Sequence, residues 1–340
     1  MVERLRAGGF RRVELALQSV TMWVTFGAYT GQAAGLATSV LWTGTSLLFT
    51  AASRRIGVTA VNTFRIGLAI ALLATTHRLL FGSWLPELLP RQVLYLALSG
   101  VVGLAIGDQA LFTAFVHIGP RLSMLIMTTA PLFAALFGWV TLGETLHGWS
   151  WLGIAMTIGG VAWVVLERPA GSVPSDGGHR LRGVALAFAG AACQAAGLWL
   201  SKEGMGHGWL PEAERLAPQA ATLTRMIFAA VGLVPIVILH FRREAKRRRA
   251  GLVPPGPKSW RAGLLFATGG AVCGPFLGVW MSLVASDRAP LGVAQTLCSL
   301  PPVFILPFAV LLHKERIGPR AVVGAVVAVS GCAVLFLQPQ

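Results

Sequence analysis

Six stretches of this chain contain no Asp, Glu, Lys or Arg: 15–53, 122–143, 183–201, 262–286, 289–312 and 321–340. Each reaches the roughly 18–20 residues with which an α-helix crosses a ~30 Å hydrocarbon core. Charged residues make up 12% of the 340 positions and apolar types 55%. A soluble domain carries about a quarter charged residues, and so few charges cannot cover a water-facing surface. The chain reads as an all-α polytopic membrane protein. A soluble enzyme, a disordered chain and a disulfide-framed secreted module are excluded by the same arithmetic.

A net charge of +15 would suit nucleic acid if it formed a basic surface. Its placement points elsewhere. The densest run is Arg242, Arg243, Lys246, Arg247, Arg248 and Arg249, between two apolar stretches. A basic segment between spans marks the cytoplasmic side and touches anionic lipid heads. Membrane lipids are therefore the expected partner, and nucleic acid is not. Cys193, Cys273, Cys298 and Cys332 all lie in apolar stretches, without a Cys-x-x-Cys pair or a His at ligand spacing. They read as small packing residues, so neither a metal site nor a cofactor is expected.

Length and flanking charge delimit ten segments: 34–53, 57–77, 92–115, 121–142, 149–167, 183–201, 217–239, 262–285, 289–312 and 318–337. These runs are too long for membrane strands, which would alternate apolar and polar residues over about ten positions. Breakers such as Pro86, Pro90, Gly119–Pro120 and Pro254–Pro255–Gly256–Pro257 mark the loops. The connections 168–182 and 240–261 read as exposed linkers. Residues 1–33 form an N-terminal extension without a signal-peptide cleavage pattern. It reads as an eleventh span, an interfacial helix, or a non-native extension ahead of a start at Met22.

An internal repeat organises the chain. At a gapless offset of 171, Gly103 meets Gly274, Gly107 meets Gly278, Pro131 meets Pro302 and Phe133 meets Phe304. Glu144 likewise meets Glu315, Gly153 meets Gly324, and Gly160 meets Gly331. Upstream the offset is 160, and Arg65 meets Arg225. Each half holds five spans, 34–167 and 183–337, and an odd number makes the second half enter the membrane from the opposite side. Two inverted five-helix repeats of this kind place a transporter's substrate site between the halves, near the midplane.

Leu41–Trp42–Thr43–Gly44, the Arg65 region, Thr129–Ala130–Pro131–Leu132–Phe133, Leu142–Gly143–Glu144–Thr145–Leu146 and Gly153 carry a family resemblance. Pro302 to Phe304, Lys314–Glu315–Arg316–Ile317 and Gly324 repeat it. Over about 34–337 the chain resembles the drug/metabolite transporter superfamily, in its EamA-type branch with two tandem five-helix repeats. Thr43 between Trp and Gly, and Lys314 in place of a Gly, depart from the pattern. The resemblance implies ten helices and transport of small metabolites or amino acids, often outward.

Several residues invite a role. Pro131 and Pro302, near the centres of their spans, would free carbonyls about one turn earlier, near Met127 and Cys298, and so line a cavity. Gly103–Gly107 and Gly274–Gly278 are Gly-x-x-x-Gly pairs that let helices approach closely. Glu144 and Glu315, at helix ends, would bind backbone amides or an Arg at the start of the next helix. Arg65 and Arg225 would snorkel to the interface, or else meet a carboxylate or an anion. Trp42, Gln109, Gln194, Trp280 and Gln295 are further cavity candidates. Asp108 lies deep in the third span, and its repeat partner is Val279. It is either a structural carboxylate paired with Arg65 or another donor, or a group for proton coupling or substrate contact.

No enzyme motif is present: no Asp-rich prenyl-diphosphate motif, no His-Glu-x-x-His, no Gly-x-Ser-x-Gly and no phosphate-binding loop. The expectation is a secondary transporter of a small polar or amphipathic solute, an amino acid or similar, working as an exporter in the plasma (inner) membrane. A membrane-embedded enzyme or a lipid-handling scaffold is the alternative. Orientation is contested. The resemblance puts both ends of the ten-helix core in the cytoplasm. Loops after odd-numbered spans, however, hold 17 Lys and Arg, eight of them within 242–261. Loops after even-numbered spans hold 5: Arg78, Arg91, Lys202, Arg215 and Arg288. The positive-inside rule therefore places the odd loops in the cytoplasm, and it is given the greater weight because it acts on this chain directly.

Overall fold

The computed structural model describes residues 29–166, 177–249, 259–304 and 319–336. Glu315, the 254–257 breaker run and residues 1–28 lie outside that range. Every described element is helical. In chain order these are α1 (Thr30–Ile56), α2 (Val58–Phe81), α3 (Pro90–Ser99), α4 (Asp108–Met127), α5 (Ala130–Leu142) and α6 (Gly148–Leu166). The second half holds α7 (Gly177–Gly204), α8 (Pro218–Arg249), α9 (Trp260–Ala271), α10 (Val279–Arg288), α11 (Leu291–Cys298) and α12 (Pro319–Phe336). Two π-helical segments, Gly100–Gly107 and Val272–Gly278, join α3 to α4 and α9 to α10.

The third span is α3, the π segment and the start of α4. Its helix continues through Gly119–Pro120, where sequence puts a loop. Yet Ala114 and Ile126 share one small buried cluster with Ala187. Twelve residues of straight helix would hold them about 18 Å apart. The chain therefore turns back between them, and the fourth span follows as the end of α4 plus α5. Among the described residues, Ala60–Phe81, Pro90–Leu111, Leu181–Gly204, Pro218–Leu239 and Trp260–Arg288 are each long and apolar enough to cross a membrane.

Three edges differ from the sequence reading. The first helix begins at Thr30, inside the supposed extension, and α7 begins at Gly177, inside the supposed linker. The run Arg242–Arg249 is helix rather than loop, because α8 has 32 residues. At 1.5 Å per residue that is about 48 Å, longer than the hydrocarbon core, so its basic turns project beyond the apolar layer. Trp139 and Trp149, 64% and 66% exposed, flank the loop after the fourth span, as interfacial anchors do.

The main helix contacts recur when the two halves are exchanged. The first span packs on the eighth as the sixth packs on the third, and the first on the ninth as the sixth on the fourth. The second likewise packs on the eighth as the seventh on the third, while the second, fourth and fifth meet their own counterparts. A two-fold relation between the repeats gives that pattern, and five spans per half put its axis in the membrane plane.

Apolar burial alone does not hold helices together in lipid, whose tails are as apolar as Leu, so close backbone approach matters. At the fifth–tenth crossing the repeat glycines touch one another. A Cβ on Gly160 would lie 2.4 Å from the Ala328 nitrogen, and one on Gly331 would lie 2.6 Å from the Thr157 nitrogen. Both obstacles are backbone and cannot swing away. Gly160→Ala should destabilise the protein by about 2–3 kcal/mol through overpacking. Thermal unfolding in detergent at the parent temperature would contradict this packing.

Candidate functional site

The two π segments coincide with the two Gly-x-x-x-Gly pairs. A π turn inserts a residue into the helical register and re-aims the side chains C-terminal to it. A Cβ on Gly103 would lie 3.1 Å from the Gly197 Cα, and one on Gly107 3.0 Å from the Cys193 Cβ, both on α7. In the other half, Gly274 faces Thr45 and Gly278 faces the Trp42 indole, both on α1. These glycines thus seat the third span on the sixth and the eighth on the first.

Asp108 is the first residue after the first π segment. Its Oδ2 accepts from Arg65 Nη2 at 2.8 Å, with the two side chains 21% and 12% exposed. Arg65 Nε also donates to Asn62 Oδ1 at 2.7 Å, and the guanidinium stands 5.6 Å from the Phe49 ring centre. Arg65 is therefore held inside the bundle and does not snorkel. Its repeat partner Arg225 is 3% exposed. The Arg225 Nη2 fills the space beside two glycines, 2.8 and 3.0 Å from where the Cβ atoms of Gly103 and Gly197 would be. Arg225 also feels the charge of Asp108. Asp108 thus bonds Arg65 directly and acts on Arg225 only through its charge.

The prolines act differently from the sequence expectation. Neither kinks a continuous helix. The fourth span breaks at Thr128–Thr129, and Pro131 sits in the first turn of α5, where its missing N–H costs nothing. The ninth breaks at Ser299–Leu300, ahead of Pro301–Pro302. The first span satisfies that second break. Ser39 Oγ donates to the Leu297 carbonyl at 2.5 Å and accepts from the Leu300 amide at 3.2 Å. Thr43 Oγ1 reaches the Pro301 carbonyl at 3.5 Å. Polar backbone exposed by this break therefore ties α1 to the other half.

Glu144 meets backbone and a cation, but not at the start of the next helix. Its Oε2 accepts from the Leu291 amide at 2.7 Å, at the head of α11 in the opposite half. Its Oε1 accepts from Lys202 Nζ at 2.6 Å, and Lys202 also donates to the Ala289 carbonyl at 2.8 Å. Lys202, a loop charge by sequence, is 6% exposed. Beside it, His207 Nε2 lies 2.8 Å from Asp287 Oδ1, and Arg288 Nε lies 3.0 Å from Asp287 Oδ2. All these groups lie at the loops after even-numbered spans. The sequence reading missed Lys202, His207 and Asp287, although paired charges at the edge of charge-free runs were visible.

The remaining candidates do not gather. Trp42 packs on Gly278. Trp280 stands 6.1 Å from Phe276 on its own helix. Gln295 is buried, Gln194 half-buried and Gln109 exposed. A cavity of about 620 Å³ opens instead at the even-loop end, between the second and seventh spans, lined by His77, Ser83, Glu87, Gln92, Glu214 and Arg215. His77 Nδ1 is 2.8 Å from Gln219 Oε1 there, a contact between the halves. Among the described residues, no group of His, Cys, Asp and Glu could hold a metal ion.

A family model described as the EamA-like transporter family matches the chain twice, over residues 29–166 and 181–337. No curated protein matches it by sequence. A solved crystal structure, titled only as that of a protein, is 16% identical and superposes with a TM-score of 0.69. That likeness covers 91% of this chain and 96% of the other, and at such identity it speaks for the fold alone.

Proposed function

Since the chain belongs to the EamA-like transporter family, and so is an integral membrane transporter of the drug/metabolite type, we propose that it moves a small polar or amphipathic solute by alternating access between its halves. The observation that carries this reading is the Glu144–Lys202–Leu291 latch. It joins the two halves at one face by a buried ion pair and a charge-assisted backbone bond. The Arg65–Asp108 pair at mid-depth keeps partial exposure. An ion-paired contact between the halves at one end, with a second charge pair inside the spans, suits an inverted-repeat carrier that alternates between two states.

The latched face carries the fewer Lys and Arg. By the positive-inside rule it faces away from the cytoplasm, in the plasma (inner) membrane. Breaking the latch would expose a site between the halves to that outer side, which suits export of an amino acid or similar metabolite. A carboxylate inside a span such as Asp108 suits coupling of solute movement to a proton, alongside its structural pairing with Arg65. The family's activity and the lack of any enzyme motif speak against a catalytic role. Purified protein in liposomes tests the reading: counterflow of labelled small metabolites is the expected result. Absence of flux across amino acids, organic acids, amines and sugars would overturn it.

A further inference from the structure

We propose that Arg225 is the anchor for a carboxylate group of the transported solute. This rests on the transport reading above and names the chemistry of its substrate. The starting point is a charge imbalance. Arg65 and Arg225 occupy equivalent places in the two repeats, but only the first half supplies a carboxylate, since Val279 stands where the second would have its Asp108. The Asp108 Oδ2 is taken by Arg65. The neighbouring acids at the latched face are engaged as well, Glu144 by Lys202 and Asp287 by His207 and Arg288.

Arg225 is left with a 3% exposed side chain and an Nε with no hydrogen-bond partner among the described residues. A buried guanidinium N–H without an acceptor is costly inside a span, and a bound anion removes that cost. The local backbone is shaped around this one group. Gly103 and Gly197 face it from two helices, and Gly100 presses against its own carbonyl. A side chain at Gly103 or Gly197 would displace the guanidinium.

The chemistry of the anion is set by charge and shape. Two guanidinium groups and one carboxylate leave a single positive charge, which suits a monoanion. A guanidinium offers a planar fork of N–H donors, and a carboxylate accepts two of them in parallel. A carboxylate bound there would make the second repeat resemble the first, where Asp108 already plays that part on Arg65. The substrate group thus completes the symmetry that Val279 breaks.

The test uses the full chain purified in detergent, with sodium butyrate and benzoate as probes and butyramide and benzamide as their neutral counterparts. Both acids are expected to raise the melting temperature saturably, and the amides not. Arg225→Lys keeps the charge but loses the fork, and should weaken the acids by about tenfold or more. Arg225→Gln should abolish the response. Equal stabilisation by the amides, unchanged affinity in Arg225→Lys, or the same shift from sodium chloride alone would each overturn the assignment. The Lys variant and the amide comparison keep the test decisive even if Arg225→Gln fails to fold. Carboxylate binding without any flux in liposomes would leave this site standing and sink the transport reading. Flux of amines or sugars without carboxylate binding would do the reverse.

Discussion

Asp108→Asn is expected to lower stability by about 3 kcal/mol, the lower end of the cost of breaking a buried ion pair, because protein encloses this carboxylate only in part. The substitution leaves Arg65 bonded to Asn62 but uncompensated, and removes the nearest negative charge from Arg225. Two guanidinium groups would then lose the carboxylate that offsets their charge. The loss should appear as a lower melting temperature in detergent and lower protein yield, together with lost transport. Asp108→Asn combined with Arg65→Gln should recover part of the stability, since removing both partners spares the uncompensated charge. A variant that melts like the parent but loses only pH-driven flux, keeping downhill exchange, would instead make Asp108 a proton-coupling group with no structural burden.

Glu144→Ala should have the larger effect on conformation. It leaves Lys202 buried without its carboxylate, and the Leu291 amide without its acceptor, in the latched state. Opening that face returns both groups to water. An uncompensated buried charge costs about 3–5 kcal/mol, enough to shift an equilibrium between two states by roughly 10² to several 10³. A cysteine introduced at Ala294, fully buried on α11 beneath the latch, reports the change in a background with the native cysteines replaced by Ala. Its labelling by a membrane-impermeant maleimide from the even-loop face should rise at least tenfold on Glu144→Ala, an estimate set low against that shift. Unchanged labelling alongside normal flux would remove Glu144 and Lys202 from the gate.

The charge-free runs determined the membrane placement and the helical class by themselves, because no soluble surface can be built from them and lipid tolerates no unpaired backbone. The gapless repeat determined the two halves and their inversion, since five spans per half leave no other way to thread the membrane. Gly103, Gly107, Gly274 and Gly278 were legible as close-packing positions, because four-residue spacing puts them on one helix face. Which helix each pair meets was not legible, since apolar helices in lipid all look alike from sequence.

The site divided along the same line. Asp108 and the two arginines could be singled out, because charge in a span is costly and therefore meaningful. The Asp108–Arg65 pair was one of two readings open from sequence, and only packing chose it, since it joins residues 43 apart on separate spans. Glu144 stood out through the repeat, yet its partners Lys202 and Leu291 lie 58 and 147 residues away. Pro131 and Pro302 were visible as interruptions, but whether a proline kinks a helix or begins one depends on whether a neighbour can satisfy the broken backbone. At the ninth span Ser39 and Thr43 of the opposite half do so. Composition and periodicity act along the chain and so fix where it crosses the membrane. Which charges cancel is settled between residues far apart in sequence, where only packing brings donor to acceptor.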